Sequence, residues 1–462
     1  MKLPSHIARD MTETRTRLSR LRSSQAWYRR RAEIEKAVPY DEGVTQRRLA
    51  ELFSIARDEV PRYGFLRDRE NICLADFPLT RKSDLRDKFP DFIARSPVGQ
   101  MTPGRYVINE TTGSTGRPLQ ILTTVESAAL SRNVVSERLF QYLDLPDTGT
   151  VFNLGLHYLG QPFFEPKALP RPYVQCNLRA YDPDRAEIVA DYEAVVGRVP
   201  VDYIHGSSSR IILLARYCAE RGIRLEPRGI VATYEHMPAG GRKLVEETFG
   251  CPVTMLYCTS EIGYAAWECS ERRMHFHEDF VQCEIFPASG KVREGGVGDI
   301  ILTSLLSGPM PIIRYVTGDL AAPATHCPCG LPGTVIDELL GRDGARLVGI
   351  EGAAYSPYAL LAALTATGLV EFQLVQESPG VVQVVAPNAS ASEREAITHI
   401  DQRLRAHFGS AQGFSVALSA STSFIVSGRG KRNPVVQLMD IEIGNTEKTG
   451  YIRPIDVSRA PH

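Results

Sequence analysis

Five short apolar or β-branched runs punctuate the middle of the chain: VFNLGL (151–156), VDYIHG (201–206), GIVATYE (229–235), VTMLYC (253–258) and DIILTSLL (299–306). Helical segments separate several of them, at Ser208 to Arg221 and at Gly240 to Thr248. Strands that alternate with helices at this spacing must be covered by those helices, which predicts an α/β fold with a substantial buried sheet. At 462 residues the chain exceeds one hydrophobic core, so two or three domains are expected.

The flanks read differently. Residues 12 to 60 place Leu18, Leu21, Trp27, Leu49, Leu52 and Ile55 at helical spacing, which predicts a helical N-terminal region over 1–70. A Gly- and charge-rich stretch, ELLGRDGARLVG, reads as a linker near Gly341. Beyond it LVEFQLVQ (369–376) and GVVQVVAP (380–387) predict a hairpin, Ser392 to Phe408 a helix, and FSVAL (414–418) another strand. The expected division is a large domain over 1–341 and a small α+β domain over 342–462.

With 53 basic against 54 acidic residues, the chain lacks the basic surplus of a nucleic-acid binder, so a small-molecule substrate is expected. No signal-peptide pattern opens it and no 18-residue apolar run interrupts it, so a cytoplasmic protein outside the membrane is expected. Nine cysteines, an odd count, then read as thiols or metal ligands rather than disulfides.

Thr111-Thr112-Gly113-Ser114-Thr115-Gly116-Arg117-Pro118 lies between two strand-like runs, YVIN and LQILTT. Its glycines let the backbone approach an anion, and its amides, hydroxyls and Arg117 supply donors for phosphate. Alone, such a loop is equally a flexible turn. Four further segments accompany it: Tyr257-Cys258-Thr259-Ser260-Glu261, Arg314 to Asp319, Gly341-Arg342, and Gly428-Arg429-Gly430-Lys431. The ordered set TTGSTGRP, YCTSE, ECSERRMHFHED, TSLLSGPMPIIRYVTGD, CPCG and GR resembles the adenylate-forming enzyme superfamily. Within it, the similarity is to the phenylacetate–CoA ligase branch and its capsular-biosynthesis-type relatives.

That resemblance implies a large layered α/β domain with a small mobile α+β domain. It implies ATP-dependent joining of a carboxylate to AMP, release of pyrophosphate, and acyl transfer to a thiol. Residues 111–117 would hold the β- and γ-phosphates, and Thr259 or Ser260 would touch the α-phosphate. Glu261 would ligate Mg2+, Tyr257 would lie against adenine or the acyl group, and Asp319 would bind the ribose hydroxyls. Arg342 would lie near ribose and phosphate, and Lys431 would bridge the carboxylate and phosphate oxygens. Each has a plainer alternative: a cap or salt bridge for Glu261, a turn cap for Asp319, a solvated loop lysine for Lys431.

Cys269, His275, Cys327 and Cys329 offer a Cys3His set of the kind that holds structural Zn2+, with His277 as an alternative to His275. Relatives in the resembling branch often carry cysteines and a histidine there. The acyl pocket is expected between the 201–207 strand end, the 231–236 segment and a loop over 262–267, among His205, Tyr234, Glu235, Ile262, Gly263, Tyr264 and Trp267, with His157 and Tyr158 on another side. These aromatics favour an aromatic or cyclic acid.

The acceptor implied is coenzyme A, with a carrier-protein phosphopantetheine thiol or an amine as alternatives, and a homodimer is allowed for. The chain departs from the branch at GRDG and at Leu360, where a glutamate is usual. A noncatalytic acyl-adenylate-like binding protein is the reading of another class.

Overall fold

The structure is a computed structural model that describes residues 3–98, 105–110, 119–155, 162–286, 297–306, 308–342, 347–350, 354–355, 357, 360–361, 364, 368–400, 415–421, 423–425 and 435–438. Three helices, α1 (Ser5–Arg22), α2 (Gln25–Ala37) and α3 (Glu42–Glu59), open the chain as their apolar spacing predicts. Ser24 and Asp41 cap the second and third by accepting backbone N–H groups of Trp27 and Gly43. Short helices α4 (Lys82–Asp87) and α5 (Arg95–Val98) lead to a hairpin of β1 (Tyr106–Glu110) and β2 (Gln120–Thr124). Glu110 faces Gln120 in that hairpin, so residues 111–118 join the ends of two paired strands. The loop itself lies outside the described residues.

Next come α6 (Val125–Tyr142), β3 (Gly149–Leu154), β4 (Phe164–Lys167), β5 (Tyr173–Asn177), α7 (Ala186–Val195) and β6 (Tyr203–Ser207). They are followed by α8 (Ser208–Arg221), β7 (Gly229–Thr233), α9 (Ala239–Phe249) and β8 (Val253–Thr259). The parallel strands run β5-β3-β6-β7-β8. β9 (Gly263–Glu268), β10 (Met274–Phe276), β11 (Val281–Phe286), β12 (Gly298–Ser304), β13 (Tyr315–Pro323) and β14 (Val335–Arg342) extend the same sheet with antiparallel pairing, in the order β8-β9-β10-β14-β13-β12-β11. β8 and β13 are thus four places apart, which would be about 19 Å in a flat sheet. The Tyr257 hydroxyl nevertheless lies 2.8 Å from an Asp319 carboxylate oxygen. The antiparallel half must therefore curl back over the end of β8.

The largest buried cluster runs from Ile7 to Ile336 and the next largest from Leu347 to Val435, the cores of a large and a smaller domain. In the second, β17 (Gln373–Ser378) and β18 (Val381–Val385) form the expected hairpin, after the short pair β15 (Leu347–Val348) and β16 (Ala354–Tyr355). β19 (Ser415–Leu418) and β20 (Val435–Gln437) add parallel strands at the two edges, and a helix spans Ala391–Thr398. The small domain rests on α8 and α9. A Cβ at Gly240 would meet the Gly368 carbonyl oxygen at 2.2 Å, so only glycine permits this approach.

Two expectations need correction. The stretch taken as a linker is strand through Arg342, because ELLGR pairs with β13. The 262–267 segment taken as a loop is mostly β9, since its backbone groups complete the ladders to β8 and β10. Among the described residues, no helix is long and apolar enough to cross a membrane.

Candidate active site

The curl brings the ends of β8 and β13 together. Tyr257 donates its hydroxyl to Asp319 at 2.8 Å, and Tyr315 donates to Glu261 at 2.8 Å. Burial, with the Asp319 charge adding to it, pushes the Tyr257 pKa well up, so this hydroxyl stays a donor. The Thr259 hydroxyl accepts the Ile262 N–H at 3.1 Å and closes the turn that presents Glu261, while Ser260 is exposed. On the facing strand, Gly318 takes φ +79° and the Asp319 N–H donates to Thr317 Oγ1 at 3.1 Å. Arg342 is paired with Asp319 across the β13–β14 ladder, which puts their backbones side by side. Its side chain lies outside what is described, as do Lys431 and Thr111 to Arg117. Lys431 falls four positions before β20, which pairs with β17.

A second polar group crosses the ends of three parallel strands. His205 Nδ1 is 3.3 Å from Asn153 Oδ1, and Asn153 donates to Asn177 Oδ1 at 2.7 Å. Tyr234 stands beside it at φ +71°, exposed, its ring centroid 6.4 Å from that of His205. A bulky residue held at positive φ stores strain, a cost tolerated where a side chain must be aimed. The two asparagines were missed by sequence reasoning. Their signal is the repeated Asn-Leu at the ends of VFNL and QCNL.

Burial, with Lys167 nearby, pushes the His205 pKa down to about 4. The ring is neutral when folded and takes up a proton on unfolding below the ordinary value of about 6.5. Its contribution to stability is therefore lost as pH falls from about 6.5 towards about 4. In denaturant titrations, His205→Asn is expected to lessen the loss of stability between pH 7 and pH 5. An unchanged loss would contradict the assignment of a buried neutral ring.

Other residues expected at the acyl pocket serve several ends. Glu235 accepts from the Ser207 and Ser209 hydroxyls and from the Ser209 N–H at 3.1 Å, so it caps α8. Ile262 is buried, Gly263 is exposed at φ +96°, and burial raises the Tyr264 pKa to about 12. Trp267 turns to the end of α6, its ring 4.6 Å from Tyr142 and 6.0 Å from His277. His157 and Tyr158 lie outside the described residues.

Cys269, His275, Cys327 and Cys329 converge with their ligand atoms all within 4.8 Å of one another. Cys269 and Cys327 sulfurs are 3.6 Å apart, near the roughly 3.8 Å of two thiolates on a tetrahedral zinc. His275 Nε2 is 3.2 Å from Cys329 Sγ, and its Nδ1 faces the Pro332 carbonyl at 3.3 Å. That carbonyl fixes the tautomer that leaves Nε2 free to ligate. The donor set and spacing fit a structural zinc. His277 lies outside the group, its Nδ1 3.5 Å from Arg138.

No family model matches the chain. It is 26% identical over 372 residues to the phenylacetate–coenzyme A ligase of Thermus thermophilus, across 75% of this chain and 81% of that one. It is 26% identical over 307 residues to the Escherichia coli phenylacetate–coenzyme A ligase, of which it spans 64%. Among solved structures, 2-hydroxyisobutyryl-CoA ligase in the postadenylation state with 2-HIB-AMP superposes with a TM-score of 0.62 at 16% identity, over 86% of this chain and 89% of that one. The chain therefore has the adenylate-forming enzyme fold, and its sequence likeness supports the same superfamily.

Proposed function

We propose that this chain activates a small carboxylic acid with ATP to give acyl-AMP and pyrophosphate, and then passes the acyl group to the thiol of coenzyme A. The observation that carries the reading is the pair of carboxylates, Glu261 just past the end of β8 and Asp319 within β13, each held by a tyrosine hydroxyl from the other segment. Joining a carboxylate to the α-phosphate brings two anions together, so the site must supply positive charge and fixed donors. Glu261 is the residue assigned to Mg2+, which would neutralise charge on the phosphate oxygens. Asp319 is assigned to the ribose hydroxyls, and Thr259 or Ser260 to the α-phosphate. Lys431, Arg342 and the 111–117 loop are assigned to the carboxylate and phosphates. His205, Tyr234, Asn153 and Asn177 supply a polar end for the acyl pocket. Zinc at Cys269, His275, Cys327 and Cys329 would stiffen the wall beside β9, outside the reaction.

The departure at Leu360 has a packing account. The side chain is 3% exposed within the core of the small domain, where an ionised glutamate would be costly. The test is mass spectrometry of reactions holding ATP, Mg2+ and members of a carboxylic-acid panel, followed by separate addition of coenzyme A, pantetheinylated carrier protein and amines. Acyl-AMP and then acyl-CoA are expected with at least one aryl or cyclic acid. Nucleotide binding with no acyl-AMP from any acid would identify a noncatalytic binder instead.

A further inference from the structure

Asn177 fixes the hydrogen-bond polarity of a row of side chains that ends at His205. Its Nδ2 donates to the Pro162 carbonyl at 2.8 Å, an oxygen that can only accept. Its Oδ1 is therefore turned the other way, and Gln175 Nε2 and Asn153 Nδ2 both donate to it at 2.7 Å. Gln175 also donates to Glu165 at 3.3 Å, and Glu165 holds Lys167 at 3.2 Å, so the row closes at the edge strand of the sheet. At the inner end, Asn153 has spent its amide hydrogens on Asn177 and presents Oδ1 to His205 Nδ1, 3.3 Å away. An acceptor oxygen obliges that nitrogen to carry the proton. One main-chain carbonyl thereby sets the tautomer of a histidine two strands away.

The other ring nitrogen is left as a bare lone pair. Burial, with Lys167 nearby, keeps the ring neutral at pH 7, so Nε2 carries no hydrogen. Among the described residues, no group donates to it.

The surroundings of Nε2 belong to a cleft. His205 is half-buried near the C-terminal end of β6, where parallel strands receive ligands. A Cβ at Gly155 would stand 3.2 Å from Asn153 Oδ1 and 3.7 Å from the Tyr234 hydroxyl, so the glycine leaves space between the row and that hydroxyl. The Tyr234 ring stands edge-on to His205, at an interplanar angle of 70°. β6 and β8 are two strand spacings apart, roughly 10 Å. A single ring with one substituent spans that gap from a carboxylate at the end of β8.

We propose that the acid this chain activates carries a hydroxyl or amino group at the end remote from its carboxylate, and that His205 Nε2 accepts the hydrogen of that group. This names a substrate class within the acid-activating reading above and rests on it. A group that only accepts, such as an ether or a second carboxylate, would set lone pair against lone pair at Nε2. An acid with no polar group there would leave Nε2 desolvated and unpaired, the condition under which a polar pocket discriminates most strongly.

The test is acid-dependent pyrophosphate release by the full chain with ATP and Mg2+. The acids are benzoates and phenylacetates bearing a hydroxyl, amino, methoxy or no group at the meta or para position. At one of these positions the hydroxy or amino acid should exceed its methoxy and unsubstituted counterparts about 10- to 100-fold in kcat/KM. His205→Phe keeps a ring and loses the acceptor, so it should bring the same acids to within about threefold of one another. A wild-type preference for methoxy or unsubstituted acids, or an unchanged preference in His205→Phe, would overturn the proposal. Histidine 15N spectra of the wild-type chain need no variant. His205 should be the Nδ1–H tautomer, its Nε2 resonance moving upfield with the hydroxy acids and staying in place with the methoxy acids. An Nε2–H tautomer, or no response to any hydroxy acid, would overturn the proposal as well. The spectra read the lone pair without turnover, so a chain that activates no acid and a pocket that does not select for a donor give different results.

Discussion

Glu261→Gln is expected to lower acid-dependent pyrophosphate release by about 100- to 1000-fold, the effect of removing one preorganised electrostatic group from a water-poor site. Glutamine keeps the size of the side chain and can still accept the Tyr315 hydroxyl, now held at 2.8 Å from Glu261. What it loses is the negative charge assigned to Mg2+. Raising Mg2+ should recover part of the rate, since weakened metal binding can be offset by mass action. Tyr315→Phe keeps the charge and loses only its orienting hydrogen bond, so its effect should be about tenfold or less. The pair separates two roles. If Glu261→Gln retained near wild-type pyrophosphate release with an unchanged Mg2+ dependence, Glu261 would be the plain structural acceptor of Tyr315.

Cys327→Ser should cost the zinc and much of the stability. Wild-type protein purified without chelator is expected to hold about one zinc per chain, as a closed four-ligand site does. The variant should hold little. The four donors come from β10 and from the turns after β9 and β13, so the metal ties the 269–275 segment to 327–329. Losing it leaves buried thiols without the cation that offset their desolvation. A loss of about 3 kcal/mol would lower the Tm of the large domain by about 4 °C. Cys73→Ser is the control, because Cys73 is exposed and far from this group in sequence. Equal zinc content and equal Tm in wild type and Cys327→Ser would remove Cys327 from any metal site.

Local chemistry makes much of the fold legible in the sequence. α8 spans Ser208–Arg221 as read from the sequence, because its apolar spacing is regular and Gly222 ends it in the left-handed conformation. The hairpin of β17 and β18 was legible for a similar reason: two β-branched runs flank a short Gly-containing turn. The strand that ends in ELLGR was not, because its glycine and charges mimic a linker and its identity as strand depends on pairing with β13.

The same distinction applies to the site. Tyr257, Glu261 and Asp319 could be named one by one, but their meeting depends on the curl of the sheet, which no local pattern encodes. The Asn177–Asn153–His205 row depends on parallel register among β5, β3 and β6. Glu235 was legible as a polar residue at a strand end. Its bonds to Ser207 and Ser209 required the position of α8.

The central claim is that a carboxylate oxygen becomes bonded to the α-phosphorus of ATP, and carboxylate labelled with 18O tests it most directly. In acyl-AMP that oxygen bridges carbon and phosphorus, and thiol attack at the carbonyl carbon expels AMP with the bridging oxygen attached. With labelled acid, ATP, Mg2+ and coenzyme A, the account predicts AMP carrying one 18O and unlabelled pyrophosphate. Label appearing in inorganic phosphate alongside ADP, or AMP formed without label, would contradict it.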